Sequence, residues 1–434
     1  MYCYGTNASV APWRVVDKLA DDLNGRIKLE DTGFDWKILG PDIQGVHVVD
    51  EENQHQEASS SSRPKFTSRV ISRDHVAAAK LLYDHYFAPE PTYPPDMFRR
   101  RFRMRKEMFL RIVRNINSFE SSEPLPKHFQ FFHKGATDAT GRPGFNFFQK
   151  CTSAIRQLAY SFKADALDGY LQMAQDTGYQ CLDAFCKCVI HLYQHEYLRR
   201  PTEADIERFT AIHEQVHGFL GMLGSIDCMH WGWRNYLVAW QGQYTRGDKG
   251  HPPIMLEAVA SYDFWECFIR DIHQSGMPTL ALLFTKGYYL ADGIYPEWAT
   301  LVKSFKCPMD PKTTKFKRYQ EAARKDVERA FGVLQGRWQI IEQYTRPYST
   351  NKIKRIMLCC VILHNMIVED NGRAITEFEE ELIANNTLPT RTWTERCSTQ
   401  LRMYGELRDR MAHHQLRNAL IEHVWNLPEH GRQC

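Results

Sequence analysis

No stretch of this 434-residue sequence reaches the roughly 18 consecutive apolar residues that a helix needs to cross a bilayer, so no membrane partner is expected. The first residues, MYCYGTNASVAPW, lack the basic-then-apolar plan of an export signal, and a cytosolic or nuclear location is expected. Twelve cysteines occur without a single CxxC pair, which argues against a zinc ribbon or a redox motif. Cys181, Cys186 and Cys188 fall in one helical pattern and Cys359 and Cys360 in another, and we read them as reduced, buried thiols. An excess of one charge is also missing. Fifty-five Lys and Arg face 52 Asp and Glu, a net charge of +3, so only local clusters of charge point toward nucleic acid.

What is present is an ordinary globular composition with room for one large core or two or three smaller ones. Residues 1–70 carry little pattern, and Glu51 to Lys65 (EENQHQEASSSSRPK) is polar and low in complexity. Residues 71–200 read as helical. The last three of these helices, Gly144 to Phe162, Ala164 to Met173 and Asp176 to Tyr193, resemble a helix-turn-helix DNA-binding region with Thr177 as an N-cap. The competing reading is a helical bundle packed on the rest of the chain, since Lys187 on the third helix is balanced by Asp183. Residues 201–371 read as an α/β domain. A polar linker, 372–396, leads to an amphipathic last helix, 397–426, suited to dock on the core or on another subunit.

Within the α/β region, Met222, Leu223 and Ile226 form a short strand that ends at Asp227. Ile254 to Asp263 and Phe264 to His273 follow as an antiparallel pair. Tyr288, Tyr289 and Leu290 form a fourth strand that stops at Asp292, where Gly293 and Pro296 turn the chain. A helix from about Phe316 to Gln335 repeats Val327, Ala330, Phe331 and Leu334 at helical spacing, with Glu328 at the edge of that stripe. Two acids at strand ends and one on a later helix suggest a metal site. Three carboxylates repel one another unless cations sit between them, and an all-oxygen set suits Mg²⁺ or Mn²⁺. Two such ions about 4 Å apart activate an attacking oxygen and stabilise a leaving one at a phosphodiester. Lys312, Lys315, Lys317, Arg318, Arg324 and Lys325 lie just ahead of Glu328, where cations would hold a DNA backbone. Arg99 to Lys106 is a second basic cluster, either a solvated face or a further contact.

Two other patterns compete for attention. His213-Glu214-Gln215-Val216-His217 is a literal HExxH, which on a helix would offer two imidazoles to zinc. Gly218 ends that helix at once, and no later helix offers an obvious third ligand, so a protease is not expected. His364 and Asn365 lie inside an apolar helix, Lys352 to Asp370, as buried or capping polar groups or as support for the acidic site.

Three phrases, GSIDCMHW, YYLADGIYPEWA and ARKDVERAFGVLQGRW, resemble the plant branch of the PIF/Harbinger transposases, the DDE superfamily 4 endonuclease domain. The resemblance covers about residues 75–434. It implies an RNase H-like catalytic core, a mixed sheet with flanking helices, preceded by the helical region. It also implies that Asp227, Asp292 and Glu328 are the catalytic and metal-binding residues, with 64 residues between the first two and 35 between the last two. The activity implied is hydrolysis and strand transfer on DNA with two Mg²⁺ or Mn²⁺ ions and no covalent enzyme intermediate. The implied partners are transposon ends and target DNA, a Myb/trihelix-like protein and further copies of the chain, in the nucleus. The sequence departs from the family between His273 and Gly287, where a longer helical segment is reduced to Ile272 to Lys286. That shortening supports an alternative, a catalytically inactive, domesticated protein that keeps the fold and binds DNA or a partner.

Overall fold

The computed structural model describes residues 28–31, 36–39 and 71–428, apart from 121–123, 134–136, 138–140, 142, 200, 235–252, 263–265, 272–286, 346–348 and 372–407. The chain divides into two compact units, Met1–Ile71 and Ser72–Cys434. In the first, β1 (Lys28–Asp31) and β2 (Trp36–Leu39) pair as an antiparallel hairpin.

The second unit is mixed α/β. Its helices are α1 (His75–Tyr86), α2 (Pro95–Phe102), α3 (Lys106–Asn117), α4 (Lys127–His133), α5 (Phe147–Tyr160), the short α6 (Asp168–Leu171), α7 (Gln175–Tyr197) and α8 (Glu203–His217). A sheet follows, made of β3 (Met222–Gly232), β4 (Pro253–Ala260), β5 (Glu266–Asp271), β6 (Tyr288–Ala291) and β7 (Leu301–Lys303). Then come α9 (Pro311–Arg337), α10 (Gln339–Glu342), α11 (Thr350–Asp370) and α12 (Arg410–Asn426). The strands lie in the order β5-β4-β3-β6-β7. β3, β4 and β5 pair antiparallel, whereas β6 joins β3, and β7 joins β6, in parallel.

The helix boundaries follow from local chemistry. Thr202 and Asp205 form a reciprocal capping box at the start of α8, and Gly218 ends that helix in the left-handed region at φ 74°. Asp310 caps α9 through the Thr313 amide and Pro311 occupies its first turn, so the helix begins one turn earlier than Phe316. Asp409 caps α12 by accepting from the Met411 and Ala412 amides.

One continuous core joins the helical region to the sheet. Phe185, Cys186, Val189 and Tyr193 of α7 share it with Trp231 of β3, Val327 and Leu334 of α9, and Cys360 and Leu363 of α11. The division expected near residue 200 is therefore not a break between cores. α7 is held from Cys181 to Tyr197 by buried side chains, and its N-cap is Ala174 rather than Thr177. This is the packing that the bundle reading expects, and the exposed edge of the helix is the part that the helix-turn-helix reading would use. Arg355 of α11 pairs with Asp183 of α7 across the seam between them at 2.8 Å, and Lys187, one turn along α7, pairs with the same Asp183 at 2.7 Å.

α11 is the central helix that its apolar sequence predicts, buried almost throughout from Ile353 to Val368. His364 and Asn365 tie it to its neighbours. Arg337 Nη1 lies 3.0 Å from His364 Nδ1, and Asn365 donates to the Tyr197 carbonyl. The described part of the last helix, α12, docks on the core. Leu420, Ile421 and Val424 pack with Phe219, Met222, Leu290, Val302 and Phe316. Residues 397–407, and the shortened segment 272–286, lie outside the described residues.

Candidate acidic site at the head of strands β3 and β6

The site rests on register. Ile226 of β3 stands opposite Ala291 of β6, the last parallel pair between these strands. Asp227 and Asp292 are the next residues of each chain, so they emerge side by side although 64 residues separate them. Ile226 and Ala291 pack into a small core with Val259, Tyr289, Tyr295, Trp298 and Leu301. Because successive side chains of a strand alternate, Asp227 faces the opposite side, toward Arg324 of α9, and Asp292 follows β6 directly, near enough to Asp227 to act on its charge. β3 continues beyond Asp227 to Gly232 along β4. Asp227 therefore sits where the parallel pairing stops rather than at the end of the strand, which corrects the shorter strand read from the sequence.

α9 is fixed against that face by polar contacts as well as packing. Gln320 donates to the carbonyls of Ala291 and Val302, at 3.1 and 3.3 Å, and Ser225 Oγ donates to the Ala323 carbonyl. One turn further on, Arg324 projects over β3. Its Nη1 donates to Asp227 Oδ2 at 2.7 Å, and its Nη2 lies 2.7 Å from Glu328 Oε1. Arg324 thus bridges the first and third of the expected carboxylates.

The two aspartates are held differently. Asp227 accepts from the Cys228 amide at 2.8 Å. Burial pushes its carboxyl above the usual carboxylate range, and the neighbouring Asp292 adds to this, despite the opposing pull of that amide and of Arg324. Asp292 accepts from the Gly293 amide at 2.5 Å, and its carbonyl accepts from the Tyr295 amide as the chain turns. The turn is anchored by Tyr295 and Trp298, both buried, with Tyr295 Oη 3.1 Å from Cys228 Sγ. Glu328 is about half exposed.

The donor chemistry fits a divalent cation: hard carboxylate oxygens, one pair at adjacent register, around a desolvated Asp227 that lacks full compensation. The placement fits less well. Among the described residues no three His, Cys, Asp or Glu side chains converge closely enough to hold an ion. A guanidinium, itself a cation, stands between Asp227 and Glu328. Asp227 and Asp292 are brought together; Glu328 is joined to Asp227 through Arg324.

The expected DNA-contacting cations are largely engaged within the chain. Lys312 pairs with Glu422 of α12 at 2.6 Å, and Lys315 donates to the carbonyls of Trp425 and Leu427. Lys317 reaches the Lys306 carbonyl and Glu321, and Arg318 lies over the Tyr319 ring. Lys325 instead lines an open groove of about 560 Å³ beside Glu328, with Val216, His217, Tyr262, Ala322 and Arg329. In the other basic cluster, Arg105 pairs with Asp370 and Arg101 covers the Tyr93 ring, so it is folded into the helical region.

The HExxH residues are committed elsewhere. His213 is fully buried, with Nδ1 3.0 Å from the Met222 carbonyl and Nε2 accepting from the Tyr262 amide. Neither ring nitrogen is left for zinc. His217 Nε2 donates to Asp326 Oδ2 at 2.6 Å, and Arg329 also pairs with Asp326. Burial alone would raise the Asp326 carboxyl, but the hydrogen bond and charge of His217, with Arg329, hold it below its ordinary value. Sequence reasoning missed both this buried cluster and the bridging role of Arg324. The i,i+4 spacing of Arg324 and Glu328 was the available signal for the latter.

A family model described as plant transposon protein matches residues 195–276 and 280–375, which supports a transposon-derived protein. The matched span contains the sheet, α9 and all three carboxylates, and its interruption falls in the connection from β5 to β6. A second model, described as a domain of unknown function, matches residues 79–117. Two curated plant proteins share short stretches. The mitochondrial delta-1-pyrroline-5-carboxylate dehydrogenase 12A1 of Arabidopsis thaliana is 69% identical over 36 residues, and a probable aldehyde dehydrogenase of Linum usitatissimum is 46% identical over 70 residues. These cover 8% and 16% of this chain and only 6% and 13% of those proteins' lengths. The first stretch is shorter than a typical domain and the second is near the lower end of domain size, about 50 residues. No solved structure matches.

Proposed function

We propose that this transposon-derived chain is a DDE-type nuclease of the PIF/Harbinger kind, cleaving DNA phosphodiesters with Mg²⁺ or Mn²⁺ on an RNase H-like core. The observation that carries the reading is the register of Ile226 with Ala291, which sets Asp227 and Asp292 side by side beneath the helix that bears Glu328. An antiparallel β3-β4-β5 set with the fourth strand returning beside the first supports the fold assignment.

In this reading Asp227 and Asp292 hold the divalent ions and Glu328 completes the set. When bound, two such ions supply an activated oxygen nucleophile and stabilise the leaving oxygen. The chain's own contribution is to fix the acids. The β3–β6 pairing sets their spacing, the Tyr295–Trp298 anchor holds the turn after Asp292, and Gln320 locks α9 to the sheet. Lys325 and Arg329 line the groove beside Glu328 and offer positive charge to a phosphate backbone. Transposon ends and target DNA, a Myb/trihelix-like partner, self-association and nuclear residence belong to the same proposal. The bridging of Asp227 and Glu328 by Arg324 favours a second reading, a DNA- or partner-binding protein that has lost catalysis.

Nicking of duplex DNA in Mn²⁺ separates the two readings. Cleavage by the wild type, lost by at least about 100-fold in Asp292→Asn, is the expected result. DNA binding without cleavage by either protein would overturn the nuclease reading in favour of the second one.

A further inference from the structure

The acidic site holds a cation of its own, and the geometry around it suggests what that cation does. Arg324 uses both terminal nitrogens, one on Asp227 and one on Glu328, each at 2.7 Å. A planar guanidinium is suited to this fork, whereas an ammonium is a single point of charge. Arg324 and Asp227 are each about one-fifth exposed, so water screens this pair only in part, while Glu328 is 48% exposed. The half of the bridge that faces solvent is the weaker half.

We infer that Arg324 is a built-in competitor for the divalent cation: it closes the site at rest, and an ion enters only as the guanidinium leaves Asp227. The inference rests on the carboxylate reading given above and adds the regulation of that site. Three features carry it. The bridge joins the two acids that no strand pairing brings together. No three ligating side chains converge among the described residues while the bridge is made. An exit also exists, because the groove lined by Lys325 and Arg329 opens beside Glu328, and a phosphate lying there would give the released guanidinium a new bidentate acceptor. Occupancy by metal and occupancy by a phosphate backbone then assist each other, each removing what opposes the other.

The test is Mn²⁺ binding by the full chain without DNA, read from the electron paramagnetic resonance signal of free Mn²⁺. Wild type is compared with Arg324→Gln, Arg324→Lys and Asp227→Asn. The expected result is roughly ten-fold tighter binding by Arg324→Gln, a smaller gain for Arg324→Lys, and loss of binding by Asp227→Asn. Should Arg324→Gln fail to fold, the lysine variant decides the question, since it keeps the charge but cannot span both carboxylates. Unchanged affinity in both arginine variants, with binding lost in Asp227→Asn, would overturn the competitor role and leave the carboxylate site standing. Absence of Mn²⁺ binding in every protein would overturn both.

Discussion

Asp227 and Asp292 occupy the same level of two parallel strands because Ile226 and Ala291 are partners in register. That relationship depends on close approach at the other end of the same pairing. A Cβ added at Gly287 would lie 2.6 Å from Leu223 Cγ and 2.9 Å from the Gly221 carbonyl. Two carboxylates at one level repel, and their cost appears at Asp227, whose carboxyl is raised by burial and by Asp292.

That cost has a sign. A carboxyl raised in the folded state stabilises the protein at pH below its unfolded value and progressively ceases to do so as pH rises through the folded one. Ionisation of Asp227 as pH rises through the folded value therefore works against the fold. Asp227→Asn, which keeps an oxygen for the Cys228 amide, is expected to melt above wild type in metal-free buffer at pH 7, with the gap closing below about pH 4. Thermal scans across that range check it, and a lower melting temperature for the variant at pH 7 would count against the argument.

The opposite sign applies to Asp326, fully buried on α9 between His217 and Arg329. Its carboxyl is held below the ordinary value, so its stabilisation is present above the unfolded value, about 3.9, and is lost as pH falls through the lower folded one. Asp326→Asn should cost about 3 kcal/mol at neutral pH, as removal of one member of a buried ionic cluster does. Urea titrations should show the difference from wild type shrinking steadily below about pH 4. A difference independent of pH would mean that the charge is not what matters there.

The HExxH residues should behave as structure rather than as a metal site. Truncation of His213, which satisfies two backbone groups in the interior, is expected to destabilise by about 2 kcal/mol or more. Exposed Glu214, the would-be base, should tolerate Glu214→Gln within about 0.5 kcal/mol. Zinc added to the apo protein should leave the melting temperature unchanged. A zinc-dependent rise that His213→Ala abolishes would reverse this assignment.

The candidate site was legible in the sequence wherever the signal was local. Tyr288 to Asp292 states its own structure, a buried strand followed by an acid and a turn, and the apolar stripe of α9 places Glu328 at its edge. The route by which distant acids meet came from the family resemblance rather than from any residue pattern. The i,i+4 spacing of Arg324 and Glu328 signals one half of the bridge, but among six neighbouring cations only the packing of α9 on β3 decides which one also reaches Asp227. The same packing engages Lys312 and Lys315 with α12 and the residue that follows it, about a hundred residues later in the chain. The helical region was legible as helices but not as part of the sheet's core. Shared burial of Phe185 with Trp231 and Leu363 is a long-range fact that no window of sequence contains.

Crystals soaked in Mn²⁺ and measured at the manganese absorption edge would test the account most directly. It predicts anomalous density against the carboxylates of Asp227 and Asp292, with the Arg324 guanidinium withdrawn from Asp227. An Arg324 still bridging Asp227 and Glu328 at saturating Mn²⁺, with no anomalous density beside them, would contradict it.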